Sequence, residues 1–242
     1  MKLYYIIIFL TFIVSHNSYS SEKRFKVHTL AFYNLENLFD TINDTSKRDE
    51  ASPIMEMKYN RSDVYNKKIK NLSKVISGIG FEETKTLPTI VGLCEVENKN
   101  VVEDLINSDL LKNANYGISH FDSPDERGID VALIYRKNIF KILNENSAYL
   151  ELKYASGKIN YTRDQLVVEG VLENEKIYII VNHWPSRSGG ELGSRPYRNK
   201  AAEQNMLIID SIQSINKNAK IITMGDFNDD PTNDLSLIHI WR

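Results

Sequence analysis

Cysteine is nearly missing from this 242-residue sequence: only Cys94 occurs, which excludes an internal disulfide framework, so the core must hold the fold. Its apolar neighbours suggest a packed thiol. Charge of one sign is missing too. Thirty Lys and Arg against 32 Asp and Glu leave a formal net charge of -2, so no overall basic field draws in nucleic acid and any polyanion binding must be local. After residue 20 no apolar run approaches the roughly 20 residues that span a bilayer, so no stable membrane span is expected. What is present is a globular composition, 42% hydrophobic, in a chain long enough to bury a full core as one domain.

Residues 1–20 stand apart. Lys2 opens them, the apolar run YYIIIFLTFIV follows, and the small residues Ser18 and Ser20 are spaced for cleavage. This resembles a secretory signal peptide. No cysteine follows the run, so a lipoprotein anchor is not expected. The mature chain should start near Ser21, one positive charge poorer without Lys2, in a secreted or periplasmic setting.

The rest reads as apolar strands that end in polar residues. In FKVHTLAFYNLENLFD, Val27, Thr29, Ala31 and Tyr33 alternate with their neighbours, and Asn34 and Glu36 sit at the exit. Their spacing of two would set both oxygens on one side of an extended segment. Residues 41–60 are polar, carry Pro53 and read as a surface loop. Capped by Ser62 or Asp63, a helix then places Tyr65, Ile69, Leu72, Ile76 and Ile79 on one face. LPTIVGLCEV is a strand closing on Glu95, a carboxylate that is costly at a buried strand end unless paired or metal-bound; Glu97 reads as solvated. Residues 101–111 form a second amphipathic helix with Glu103 and Asp104 on its wet face.

In SPDERGIDVALIYR, Asp130 is set inside an apolar strand and needs a partner. Two further strands form a hairpin across Glu173, Asn174 and Glu175, and the second runs into VNHWPSRSGG, with Asn182, His183, the packing residue Trp184 and Arg187. A helix from Ser194 carries Arg195, Arg198 and Lys200 in its first turns. Cations there oppose the helix dipole and point to an anion to be held. Finally IITMGDFNDDP drives an apolar strand through Gly225 into Asp226, Asn228, Asp229 and Asp230, oxygen donors suited to a hard divalent cation.

FYNLENLF, GLCEVEN, SPDERGIDVALIYR, VNHWPSR and GDFND, in this order, resemble the endonuclease/exonuclease/phosphatase superfamily of metal-dependent phosphoesterases, and most closely its secreted bacterial members. The resemblance implies an α/β fold, a four-layer sandwich of two mixed β-sheets flanked by helices, with the site where strands end. It implies that Asn34 serves metal and phosphate, that Glu95 binds a divalent ion, usually Mg2+ with Mn2+ or Ca2+ as alternatives, and that His183 contacts the scissile phosphate or its leaving group. Asp226 and Asn228 would orient the attacking water and the phosphate. Arg187, Arg195 and Arg198 are the candidate substrate contacts. Arg127 and Asp130 belong to a recurrent RGxD element without an assigned role. Hydrolysis would run by in-line attack of water on a phosphate ester, with no covalent enzyme intermediate.

Three functions compete: a secreted nuclease, a phosphatase or phosphodiesterase acting on lipid headgroups or small phosphates, and a binding protein that keeps the fold without catalysis. A monomer is expected. The resemblance also calls for a C-terminal Asp-His pair that activates water, and none follows Asn228; His239 lies in IHI without the aspartate. The closing LSLIHIWR turns apolar abruptly and LSLIHI is similar to a translated transposon-end adaptor. The domain is therefore expected over residues 21–234, incomplete and lacking its C-terminal strands, with residues 235–242 a non-native tail.

Overall fold

A computed structural model describes residues 25–230. The expected leader at residues 1–20 and the expected tail at residues 235–242, with His239, lie outside them. Strand β1 (Leu30–Leu38) starts later than its alternation suggests, with Val27 still 67% exposed. Helix α1 (Arg61–Gly78) buries Tyr65, Ile69, Leu72 and Ile76, as their spacing predicts, and starts after Asn60 in the left-handed region rather than at a Ser or Asp cap. The short α2 (Phe81–Thr84) leads to β2 (Ile90–Val96), and α3 (Lys99–Ile106) is capped by Asn98, whose side chain accepts the Val101 N–H. Strands β3 (Tyr116–His120) and β4 (Asp130–Arg136) complete a first sheet in the order β1-β2-β4-β3, parallel at β1-β2 and antiparallel elsewhere.

After β5 (Phe140–Ala148), a small ribbon of β6 (Leu152–Lys153) and β7 (Ile159–Asn160) precedes the hairpin β8 (Gln165–Leu172) and β9 (Glu175–His183). Its turn has two residues, not three: Glu173 and Asn174 both take positive φ, as a type I′ hairpin turn requires. Helix α4 (Glu191–Ile215) then crosses over to β10 (Lys220–Asp226), and the second sheet has the order β10-β9-β8-β5, parallel only at β10-β9.

Strand alternation sorts the core into layers. On β2, Ile90 and Cys94 face the second sheet and meet Val181 of β9 and Met224 of β10, while Val91 and Leu93 face α1 and α3. Gly92 lets the sheets close, since a β-carbon there would stand 2.6 Å from the Met224 sulfur. Trp184, Ala201 and Ala202 pack α4 on the other side of the second sheet. The layers are thus helices, sheet, sheet, helix, as the resemblance implies. Residues 41–60 are more than a surface loop, because Asp49, Ser52 and Ile54 are buried there and Ile54 joins the core under α1. No helix among the described residues is long and apolar enough to cross a membrane.

Candidate functional site

Both parallel strand pairs end on the same side of the sandwich, and their last residues meet. On β1, the Asn34 amide donates to Glu95 Oε1 and to Asp226 Oδ2, both at 3.1 Å, so it ties the two sheets together. Glu95 sits where the pairing of β2 shifts against both β1 and β4, with a left-handed φ of 59°. Such a bulge turns one side chain out of the strand's alternation, and its backbone strain is typical of functional positions. The carboxylate is thereby aimed into the site instead of the core.

His183 ends β9. It is 6% exposed, its Nε2 lies 3.8 Å from Glu95 Oε1, and its buried Nδ1 has no hydrogen-bond partner. Burial, with help from the Arg163 and Arg127 charges, holds its pKa well below the usual histidine range, so the imidazole is neutral at pH 7. Asp226 Oδ1 accepts the Asn228 N–H at 3.0 Å, fixing the GDFND turn, and Asn228, itself left-handed at φ 49°, donates its side-chain amide to the Trp184 carbonyl at 2.9 Å. Asn34, Glu95, His183, Asp226 and Asn228 therefore form one assembly at the ends of β1, β2, β9 and β10.

The arginines separate. Arg187 bonds the Asn228 carbonyl at 3.1 Å and pairs with Asp229 and Asp230 at 3.2 and 3.3 Å, which places it at the edge of the assembly. Arg195 is exposed on the first turns of α4. Arg198 is fully buried and spent within the helix, on Ser194 Oγ at 2.9 Å and Glu191 Oε1 at 2.6 Å. The helix starts at Glu191, three residues earlier than expected, and this supplies the acid that takes up Arg198. Glu36 meets Asn34 through its backbone, donating its N–H to Asn34 Oδ1 at 2.7 Å, while positive φ at Glu36 and Asn37 breaks the extended alternation and leaves Glu36 exposed.

Glu97 is buried rather than solvated. It accepts the Asp40 N–H at 2.6 Å, and burial, with the charges of Asp40, Asp49 and Asp44, pushes its carboxyl up to about 7. Asp130 is the first residue of β4 and has its partners, the Ser123 N–H at 2.9 Å and His120 Nε2 at 3.2 Å. These bonds anchor the loop that carries Arg127. Sequence reasoning missed Arg163, which is buried and donates to the Trp184 carbonyl at 2.8 Å, the same oxygen that Asn228 uses. Asn182 is structural: it bonds Thr223, the Met224 carbonyl, Trp184 and Asn205 beneath the site.

Among the described residues, two side-chain groups could close on a cation, Cys94 with His183 and Asp226, and His120 with Asp122 and Asp130, the ligand atoms in each lying within 4.8 Å of one another. In the second, His120 is already committed to Asp130. A hard cation fits best at the oxygens beside the first. Glu95 and Asp226 share one neutral amide, His183 next to them is neutral, and among the described residues neither carboxylate is hydrogen-bonded by a lysine or arginine. A divalent ion would meet that charge with oxygen ligands of the kind it prefers.

The sequence model of the Endonuclease/Exonuclease/phosphatase family matches residues 29–240. No curated protein matches the chain. Among solved structures, D. rerio TDP2 humanized by 14 mutations is similar at 15% identity over 88% of this chain and 66% of that one, with a TM-score of 0.52. A Bacteroides vulgatus endonuclease/exonuclease/phosphatase is similar at 18% identity over 86% and 67%, TM-score 0.52. A Bacteroides thetaiotaomicron mannosyl-6-phosphatase is similar at 16% over 86% and 68%, TM-score 0.53. At such identities the likeness is one of fold, and the chain spans about two thirds of the length of each of these proteins.

Proposed function

The chain belongs to the endonuclease/exonuclease/phosphatase family, and from that premise we propose that it is an exported, Mg2+-dependent phosphoesterase whose preferred substrate is a nucleic acid phosphodiester. The observation that carries the reading is the convergence of Asn34, Glu95, His183, Asp226 and Asn228 from both sheets into one hydrogen-bonded assembly. Glu95, with Asp226 and Asn34 beside it, is the place for the cation, which when bound would polarise a phosphoryl oxygen and steady the leaving group. Asp226 accepts a hydrogen bond from the attacking water and orients it in line. The Asn228 amide, held at the Trp184 carbonyl, lies where it can turn to the phosphoryl oxygen as charge develops. His183, neutral and buried, donates one hydrogen bond to the phosphate or to the departing oxygen. Export is supported by the charged start, apolar core and Ser18 and Ser20 of the leader.

The deciding experiment assays the purified protein with Mg2+, Mn2+ and Ca2+ against DNA, RNA, phosphoinositides and sphingomyelin. Hydrolysis of DNA or RNA that ceases with EDTA is expected. Turnover of lipid or sugar phosphates alone would move the assignment to the phosphatase branch, and no turnover of any ester would leave a binding protein.

A further inference from the structure

Beside the catalytic assembly, a cavity of about 290 Å³ is walled by Arg48, Arg127 and Arg163 and by Tyr154, Tyr161 and Tyr197. Pro185, two residues after His183, forms part of its rim. The three guanidinium groups have only two carboxylate partners there. Arg48 pairs with Glu126, while Arg127 and Arg163 share Asp125 at 3.5 and 3.4 Å. Arg163 is the most deeply buried of the three. It is 6% exposed, its Nη2 donates to the Trp184 carbonyl at 2.8 Å, its contact with Asp125 is long, and its Nε has no partner. A guanidinium this buried, with its Nε unpaired and its one carboxylate contact long, is expensive to keep unless something anionic comes to meet it. Next to the cavity, α4 has Gly190 at its N-cap, with no side-chain cap, and its first turn reaches the wall at Ser194, adding the partial positive charge of a long helix.

We propose that this cavity is a second anion subsite, holding a phosphate that is not hydrolysed together with the ring it is attached to. The guanidinium groups take the phosphate, with fork geometry suited to its oxygens, and the tyrosines flank the ring. Arg127 thereby acquires a role, and Asp130 acts as its positioning residue by anchoring the loop to β4. Because Arg163 and Asn228 donate to the same Trp184 carbonyl, a ligand that draws on Arg163 is also linked to the catalytic amide. The use made of the subsite rests on the phosphoesterase reading. Its existence does not.

The test is therefore binding without hydrolysis. Calorimetry of the 242-residue chain in EDTA, with inorganic phosphate, glucose 6-phosphate and adenosine 5′-monophosphate as probes, should find at least one ring-bearing phosphate held about fivefold or more tighter than inorganic phosphate. Whichever of the two ring-bearing probes binds more tightly identifies the ring as sugar or nucleoside. Arg127→Ala and Tyr161→Ala, both at partly exposed positions that tolerate truncation, should each weaken that ligand about fivefold. Arg163→Gln should weaken it tenfold or more where it folds, and Lys70→Ala, at an exposed position of α1, should leave it unchanged. Equal affinity for all three probes, or parental affinity in Arg127→Ala and Tyr161→Ala, overturns the subsite. Absence of hydrolysis in the separate assay with divalent metal, with binding here intact, would count against the phosphoesterase reading alone.

Discussion

Glu95 is held at a left-handed φ of 59° on a bulge, a conformation that costs of order 1–3 kcal/mol and persists only where the surroundings impose it. On the proposed reading its carboxylate holds the cation while His183, 3.8 Å away, donates to the phosphate, so their variants should separate. Glu95→Gln keeps size and the bond from Asn34 but removes a charged oxygen, so the Mg2+ concentration for half-maximal rate should rise about tenfold or more. His183→Ala should lower kcat by roughly 10²-fold with Mg2+ dependence nearly kept, since a transition-state donor is lost and a ligand is not. Parental rates and parental Mg2+ curves in both would sink the assignment. Glu97 makes a separate prediction. Its folded pKa of about 7 lies above the ordinary 4.5, so the stability present below pH 4.5 is lost as pH rises through 7. Glu97→Gln, which retains an acceptor for the Asp40 N–H, should change stability little at pH 4.5 and add about 1–3 kcal/mol at pH 8. Urea titrations at the two pH values measure the difference; equal effects would mean that the carboxyl is ionised at both.

At the scale of elements, the parallel pair β9-β10 carries half of the assembly, and Asn182 fastens it to α4 through Asn205 and Thr223. Gly225 is required opposite it, because a β-carbon would come within 2.3 Å of the Asn182 carbonyl oxygen. Asn182→Ala leaves several buried groups unpaired and should cost about 2–4 kcal/mol in denaturant unfolding, with a parallel loss of activity. The strand ends were legible in the sequence because polar groups that close a buried apolar run are costly there unless they meet one another or a ligand, and four runs close on Asn, Glu, His and Asp. Arg163 was not, since it precedes β8 instead of closing a strand and resembles any loop cation. Arg198 misled for a related reason. Helix periodicity sets Glu191 and Ser194 seven and four residues before it, on the same face, but with the helix taken to begin at Ser194 the acid Glu191 could not be counted as its partner. Glu97 was misjudged because burial at residues 49–54 comes from tertiary packing that no local pattern announces.

Over the whole molecule, each sheet brings two strands to the site, so the assembly exists only while the sandwich is closed, with Gly92 against Met224 and Asn34 bridging to Asp226. The electrostatics follow the same plan. A net charge of -2 gives no long-range attraction for a polyanion, and the cations that matter are grouped around the cavity and at Arg187. Binding of a single-stranded oligonucleotide should therefore engage only a few phosphates. With about 0.7 counterions released per phosphate, contacts from three or four guanidinium groups predict a slope of log K against log salt of roughly -2 to -3. Measured in EDTA by fluorescence anisotropy, Arg127→Ala should flatten that slope by about 0.7, because one phosphate contact is removed. Alanine at Lys70 and Lys74, exposed on α1 in the outer layer over the first sheet, should leave it unchanged. If the α1 lysines set the slope and Arg127 does not, the strand runs over the helices and the cavity takes no part in its path.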